Sequence, residues 1–174
     1  FGGYNKHMAE LKARQSGILA SIIGRGDFFW NILPKSRNSA MGKKILQLQK
    51  FSEGMKLSSE ERYWKWASVR DENETIELLH DSEDKSEAKI RKEKILHNIS
   101  SHGDMNDILV TDMQLVLPND MLTKVDMMSM ANSLEVRVPF LDYRLVNFAF
   151  SLPSEFKINA KMRKRILKDA FRDI

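Results

Sequence analysis

Apolar residues recur at helical spacing along most of the chain, whereas alternation of apolar and polar residues is almost absent. Helical spacing places apolar side chains on one helix face, while a half-buried strand alternates strictly. The sequence therefore predicts a mainly α protein with at most a short strand or two. No repeat of roughly 20–50 residues and no low-complexity linker divides the chain, so residues 1–174 form one domain or part of one.

Polar residues that accept backbone N–H groups mark where helices begin. Ser58 with Glu61 forms a capping box, and Asp142 stands before another apolar-periodic run. The predicted helices cover residues 5–23, part of 35–57, the run after Ser58, 71–80, 86–100 with Ile90, Ile95 and Ile99 inward, a helix from Asp104 or Asn106 to Pro118, one from Asn119 or Asp120 to about 132, one from Asp142 to Pro153, and 160–172. An aromatic cluster at residues 28–33 is predicted to lie in the core.

Composition excludes several classes of protein. The absence of cysteine excludes disulfides, thiolate metal sites and a cysteine nucleophile within these residues, and it fits a cytoplasmic origin. The net charge of +4 is too small to indicate nucleic-acid binding. No apolar run reaches the roughly 20 residues that a membrane span needs. The histidines at 80, 97 and 102 share no metal-ligand spacing, so no metal site is predicted.

Residues 117–142 interleave charged with apolar side chains more closely than a simple surface helix does. An unpaired charge removed from water costs several kcal/mol, so these charges are either held in a polar cleft or solvated on helix faces that a core-facing loop joins. The charged residues of this stretch are Asp120, Lys124, Asp126, Glu135 and Arg137, besides Asp142 at its end.

Glu135 and Arg137 are two residues apart in a segment that Pro139 keeps extended. This spacing places both side chains on the same side of the backbone and predicts an ion pair. Such a glutamate is able to accept a proton from, or orient, a nucleophilic amine. As an exposed salt bridge the pair contributes only about 0–1 kcal/mol.

The last predicted helix is densely basic, with cations at 161, 163, 164, 165 and 168. One such cation, held in place, would stabilise negative charge that develops on a phosphate oxygen. Most of the five are expected to be solvated.

Four motifs carry a resemblance to a known family. The run from Asp120 to Asp142, D-x-L-x-K-x-D-x-x-S-M-x-x-S-L-E-x-R-x-P-F-L-D, resembles the synthetase domain of glutamine-dependent asparagine synthetases. Residues 1–4 (F-G-G-Y), residues 61–66 (E-R-Y-x-x-W) and residues 164–170 (K-x-I-L-K-x-A) are similar to three further motifs of the family, in the right order. The resemblance covers essentially the whole chain.

The resemblance implies an activity and a fold. The parent enzyme binds ATP, with Mg²⁺, and aspartate, adenylates the β-carboxylate with release of pyrophosphate, and lets ammonia attack the acyl-adenylate. Ammonia comes from a glutaminase domain of the same protein. The fold implied is the helical C-terminal portion of an α/β adenine-nucleotide α-hydrolase-like (PP-loop ATPase) synthetase domain, in the cytoplasm, and a homodimer is compatible with it.

The resemblance also implies roles for residues. Lys164 resembles the lysine that contacts pyrophosphate and the adenylated intermediate, which makes it catalytic and nucleotide-binding. Glu135 and Arg137 resemble a pair that borders the acyl-adenylate cleft, which makes Glu135 a candidate catalytic residue and Arg137 a candidate nucleotide-binding residue. Asp120, Lys124 and Asp126 match positions that support the cleft as an ion-pair network. Lys168 departs from the arginine that the family usually has, which a simple cationic contact tolerates.

Two other readings stay open from the sequence. A related amidotransferase of the same family would act on a sugar-acid or peptide carboxylate instead of aspartate. A helical interaction module without catalytic activity would dock its basic helix on an acidic partner.

The S-G-G-x-D-S pyrophosphate loop and the S-G-E-G-x-D-E segment of the family do not occur among the 174 residues. We therefore expect these residues, expressed alone, neither to hydrolyse glutamine nor to make asparagine. ATP–pyrophosphate exchange measured on the purified 174-residue chain with aspartate is expected to stay at background, and detectable exchange would contradict this expectation.

Overall fold

The computed structural model describes residues 1–15, 39–78, 82–100 and 103–173. Two compact units are present: the first comprises Phe1–Met8 and Arg91–Ile174, and the second comprises Ala9–Ile90. The described residues are mainly helical, as predicted, and their β-structure is limited to an isolated antiparallel bridge between Ile158 and Arg163. None of the helices formed by these residues is long and apolar enough to cross a membrane.

The α-helices of the described segments are α1 (Asn5–Gln15), α2 (Ala40–Gly54), α3 (Ser59–Ala67), α4 (Glu72–Glu77), α5 (Ser82–Leu96), α6 (Met105–Val116), α7 (Thr123–Met130), α8 (Tyr143–Ser151) and α9 (Arg165–Ala170). A π-helix (Leu117–Leu122) joins α6 to α7, and short 3₁₀ turns cover Pro139–Leu141 and Ser154–Phe156. The rest of the predicted helix at 5–23 and the aromatic cluster at 28–33 lie outside the described residues.

The predicted helix caps at Ser58 and Asp142 are confirmed. The Ser58 hydroxyl accepts from the N–H of Glu61 at 3.3 Å, and a carboxylate oxygen of Asp142 accepts from the N–H of Arg144 at 2.9 Å. Asp104, rather than Asn106, caps α6. Each cap satisfies an N–H group that the helix itself leaves without a partner.

The predicted helix stop at Pro118 is wrong, and so is a new cap at Asn119 or Asp120. The chain stays helical through this region by widening into the π-helix, in which the N–H of Leu117 bonds the carbonyl of Asp112 five residues back. Proline lacks the N–H that an α-helix would use there. The side chain of Asn119 donates to the Leu115 carbonyl of α6, and that of Thr123 donates to the Pro118 carbonyl of the π-helix.

The last helix is shorter than the predicted 160–172. The side chain of Asn159 accepts from the N–H groups of Lys161 and Met162, which turns the chain back on itself. Lys164 then adopts a left-handed conformation (φ 54°, ψ 39°), and α9 begins only at the next residue. The Asn159 side chain thus accepts the N–H groups that the predicted helix would have used in its first turn, and the last helix begins later.

The core of the first unit lies on α6 and its neighbours. Met105, Ile108 and Leu109 of α6 are buried, and so are Ala149 and Ile158 of the same unit. The predicted inward stripe of α5 is only partly correct: Ile99 is buried, just beyond the helix end, whereas Ile90 is 63% exposed. Among residues 85–96, Leu96 is buried, which the prediction omitted.

The second unit contains a buried ion pair between Glu10 and Arg62. The guanidinium donates from Nε and Nη2 to the two carboxylate oxygens, both at 2.7 Å, and Nη2 also reaches the Ser59 hydroxyl at 3.1 Å. Arg14 donates to the same carboxylate at 3.0 Å. A bidentate, fully bonded geometry is what allows such a pair to be buried.

Helices α2 and α3 of this unit pack through an indole ring. Trp66 stacks on Phe51 with ring centroids 5.9 Å apart, and its Nε1 donates to the carbonyl of Lys50 at 3.0 Å. A Cβ at Gly54 would lie 2.6 Å from this ring, so the close approach requires glycine there.

Replacing Arg62 by methionine is expected to lower the free energy of unfolding of the second unit by about 3 kcal/mol, because Glu10 then stays buried without its bidentate partner. Tryptophan fluorescence during urea titration reports this unit, since Trp30, Trp64 and Trp66 all belong to residues 9–90. Arg70→Met is the control, because its ion pair with Glu74 is exposed. Equal midpoint shifts in the two variants would contradict the expectation.

Candidate functional site

A cavity of about 460 Å³ lies in the first unit. Its walls come from residues 1–4, α6, the π-helix, the 3₁₀ turn at Pro139–Leu141, α8 and the segment around α9. Most of the lining is apolar, as in Leu109, Met113, Leu117, Met121, Phe140, Val146 and Leu167. The polar lining residues are Tyr4, His7, Asp112, Lys157 and Lys164. An apolar cavity with a few polar groups is typical of a small-molecule site.

Lys164 reaches this cavity from an unusual backbone position. The left-handed region costs a residue with a side chain on the order of 1–2 kcal/mol, and Lys164 is one of two described residues other than glycine with positive φ. Its side chain passes directly over Gly3, where a Cβ would lie 2.5 Å from the Lys164 Cε. Within the described residues, the Lys164 ammonium has no ion-pair partner. It is therefore available to a ligand.

Lys157 is the second lysine of the cavity, and its ammonium is already bound. Nζ donates to the carbonyls of Ala149 and Leu152 at the end of α8, the latter at 2.9 Å, and lies 5.3 Å from the centre of the Phe150 ring. The residue is 1% exposed. Burial lowers the pKa of Lys157, and the charge of Asp104 opposes this shift. Its charge stabilises the C-terminal end of α8.

Asp112 anchors residues 4–7 to α6. Its carboxylate is hydrogen-bonded to Lys6 through Oδ1 and to the Nε2 atom of His7 through Oδ2, the latter at 3.0 Å. Burial acts to raise the pKa of Asp112, but the hydrogen bonds from His7 and Lys6 lower it below its usual value. The cluster fixes one wall of the cavity.

Tyr4 stands next to this cluster. Burial raises the pKa of Tyr4, and the negative charges of Asp112 and Asp120 add to the shift. The phenol therefore stays protonated at neutral pH. Asp120 is thus electrostatically close to the cavity although it is not part of its lining.

The predicted ion pair between Glu135 and Arg137 is present. The two side chains are 71% and 87% exposed and lie outside the cavity lining. Val136 and Val138, which alternate with them, line a separate groove of about 390 Å³ together with Asp126. This alternation follows from an extended backbone, in which neighbouring side chains point to opposite sides.

The residues predicted to support the cleft are spread over the surface. Lys124 and Asp120 are 3.9 Å apart and both exposed. Asp126 forms no ion pair with the described residues and lines the separate groove. Of the six predicted site residues, the structure brings Lys164 alone into the lining of the cavity.

Sequence reasoning missed three buried polar or charged residues of the cavity, His7, Asp112 and Lys157. Charged residues are usually solvated, and nothing in the spacing of these three separates them from solvated ones. The described residues contain no group of three His, Asp or Glu side chains arranged to hold a metal ion.

A family model, described as asparagine synthase, matches residues 1–174. The chain belongs to the asparagine synthase family. It is 29% identical over 171 residues to asparagine synthetase (glutamine-hydrolyzing) 1 of Bacillus subtilis, which covers 98% of this chain and 26% of that relative. The chain thus spans about a quarter of that relative's length.

Shorter stretches match other proteins of the asparagine synthase family. Asparagine synthetase (glutamine-hydrolyzing) 3 of Bacillus subtilis is 46% identical over 55 residues, which are 32% of this chain and 9% of the relative. A putative asparagine synthetase (glutamine-hydrolyzing) of Mycobacterium bovis is 45% identical over 58 residues, or 33% and 9%. No solved structure matches the chain.

The motifs by which the chain resembles the asparagine synthase family fall into different physical environments. Gly3 of the F-G-G-Y motif contacts Lys164 of the K-x-I-L-K-x-A motif at the cavity. Arg62 and Trp66 of the E-R-Y-x-x-W motif belong to the second unit, where they are engaged in packing and in the ion pair with Glu10. The first two motifs line the candidate site together with Met121, Phe140 and Leu141 of the run from Asp120 to Asp142, and the third stabilises the fold.

Replacing Asp112 by asparagine is expected to destabilise the first unit in a pH-dependent way. A lowered carboxyl pKa stabilises the fold above the unfolded-state pKa of about 3.9, and this contribution disappears as pH falls through the lower folded-state value. The gap in unfolding free energy between wild type and variant should therefore be largest at pH 5–7 and shrink toward pH 3.

Far-ultraviolet circular dichroism during urea titration measures this gap. Asp126→Asn is the control, because that side chain is exposed and forms no ion pair with the described residues. A gap of the same size at pH 5 and pH 3 would contradict the assignment of Asp112.

Proposed function

We propose that these residues are part of an ATP-dependent asparagine synthetase. The whole protein would activate the β-carboxylate of aspartate as an acyl-adenylate, release pyrophosphate, and form asparagine and AMP when ammonia attacks the activated carbon. Membership of the asparagine synthase family supports this proposal. The names of the relatives include "glutamine-hydrolyzing", which supports glutamine as the ammonia source through a glutaminase domain of the same protein.

The observation that carries the proposal is the difference between the two lysines of the cavity. Lys157 is buried and bonded to two carbonyls at the end of α8. Lys164 lines the same cavity, and its ammonium has no ion pair with the described residues. The Lys157 ammonium therefore stabilises the fold, and the Lys164 ammonium is available to bind an anionic ligand.

The chemistry of adenylation requires such a cation. A carboxylate oxygen attacks the α-phosphorus of ATP, and the bond from that phosphorus to the bridging oxygen breaks. The electron pair leaves with pyrophosphate, so negative charge builds there in the transition state. A fixed ammonium in a partly apolar cavity stabilises this charge more strongly than water would.

The described residues suit a phosphate group of the nucleotide better than they suit its metal ion. Lys164 lines the cavity, and its ammonium has no ion pair with the described residues, which suits a phosphate group as ligand. The described residues contain no group of three His, Asp or Glu side chains arranged to hold a metal ion, so the proposal places no Mg²⁺ ligand among them.

Glu135 has a weaker place in this proposal than Lys164. A glutamate of this kind would activate a nucleophilic amine, whereas here the nucleophile is ammonia. The Glu135 carboxylate is also exposed and paired with Arg137. The roles of Glu135 in proton transfer and of Arg137 in nucleotide binding stay predictions for the full-length protein. Asp120, Lys124 and Asp126 stay predicted supporting residues on the same terms.

Replacing Lys164 by alanine in the full-length protein is expected to lower aspartate-dependent pyrophosphate release by about 100-fold or more, because loss of one preorganised electrostatic contact typically costs this much. Glutaminase activity should stay near the wild-type value, since the substitution leaves that chemistry untouched. Coupled assays of pyrophosphate and of glutamate measure the two rates.

Lys161→Ala is the matched control. Lys161 is an exposed lysine of the same segment and lies outside the cavity lining. An equal fall in pyrophosphate release in both variants would indicate an effect of lost charge alone and would contradict the specific role of Lys164.

The same assay tests the acceptor. Aspartate-independent pyrophosphate release would favour a sugar-acid or peptide carboxylate as acceptor.

A further inference from the structure

The turn that carries Lys164 is fastened to the beginning of α1. Arg163 donates from Nη1 to the side-chain oxygen of Asn5 at 2.6 Å and to the carbonyl of Gly3 at 3.4 Å. These contacts join residues about 160 positions apart in the sequence. They attach the turn to the segment over which the Lys164 side chain lies.

The backbone of the turn is also bonded on both sides of Lys164. Arg163 pairs with Ile158 in an antiparallel bridge, and the N–H of Arg165 donates to the carbonyl of Lys157 at 2.9 Å. The residue between these two anchors is Lys164, in its left-handed conformation. A displacement of Arg163 is therefore transmitted directly to the Lys164 side chain.

We propose that Arg163 and Asn5 are positioning residues that hold the Lys164 ammonium at the cavity. The proposal rests on the proposed function of Lys164. Arg163 itself lies outside the cavity lining, so it acts through Lys164 and not on the ligand. Asn5 supplies the acceptor that fixes the guanidinium, and the Gly3 carbonyl supplies a second one.

Substitutions at Arg163 and Asn5 distinguish a positioning role from an ordinary surface contact by their separate effects on rate and on stability. Asn5 is exposed, and the hydrogen bond between Arg163 and Asn5 is exposed as well. Hydrogen bonds of this kind contribute little to the stability of a fold. Misplacing a catalytic group by about 1 Å, in contrast, is able to reduce a rate by a large factor. The proposal therefore requires a large effect on rate with a small effect on stability.

The test uses the full-length protein with Arg163→Ala, Asn5→Ala and Asn5→Asp. The first two variants are expected to lower kcat for aspartate-dependent pyrophosphate release by on the order of tenfold, with little change in the KM values for ATP and aspartate. Asn5→Asp keeps an acceptor for the guanidinium and should retain near-wild-type kcat. Glutaminase rate and melting temperature should stay unchanged in all three.

The matched control is Arg172→Ala, which removes an exposed arginine that pairs with Asp169 and has no contact with Asn5 or Gly3 among those described. Its kcat should equal that of the wild type. Wild-type kcat in both Arg163→Ala and Asn5→Ala would overturn the proposal, and so would an Asn5→Asp variant as slow as Asn5→Ala.

A double substitution separates this proposal from the one on which it rests. In a Lys164→Ala background, Arg163→Ala should cause no further loss, because the group that it positions is gone. Additive losses would assign Arg163 a role independent of Lys164 and overturn the positioning role. If Lys164→Ala alone leaves pyrophosphate release unchanged, the proposed function of Lys164 fails first, and the positioning role fails with it.

Discussion

The charges that α1 carries into the protein interior must be neutralised, and much of the structure depends on how this is done. In the first unit, Lys6 and His7 bind the carboxylate of Asp112 on α6. In the second unit, Glu10 is held by one edge of the Arg62 guanidinium, through Nε and Nη2. A buried charge without a partner costs several kcal/mol, so each of these contacts fixes the packing of the element opposite α1. The cavity wall at residues 4–7 owes its position to this requirement.

Local features of the fold were predictable, and long-range ones were not. The caps at Ser58 and Asp142 depend on side chains within three residues, which the sequence displays directly. The continuation of the helix past Pro118 depends on a change of hydrogen-bond register, and no residue pattern marks it. The left-handed backbone of Lys164 depends on the turn before it and on Gly3 across from it. Propensity reasoning assigns a lysine to an ordinary helix instead.

In the candidate site, too, residues that a local pattern marks were predictable, and residues defined by long-range contacts were not. Lys164 was predicted because a motif identified it, and it does line the cavity. The ion pair between Glu135 and Arg137 was predicted from spacing and is present, but spacing carries no information on which surface it occupies. Lys157 and Asp112 were missed because the sequence does not distinguish a solvated lysine or aspartate from a buried one with protein partners. Burial of a charge is decided by tertiary contacts, and these are visible only in the folded chain.

The attachment of the Lys164 turn to residues 3–5 has a consequence for protein engineering. Arg163 is 160 residues from Gly3 and 158 from Asn5 in the sequence, yet the three meet at one point of the molecule. A chimera that exchanges only the last segment between two relatives would separate Lys164 from the glycine and the acceptor that accommodate it. Segments 1–5 and 157–165 are therefore one unit of exchange. Recombination libraries built from this family should inherit the two together.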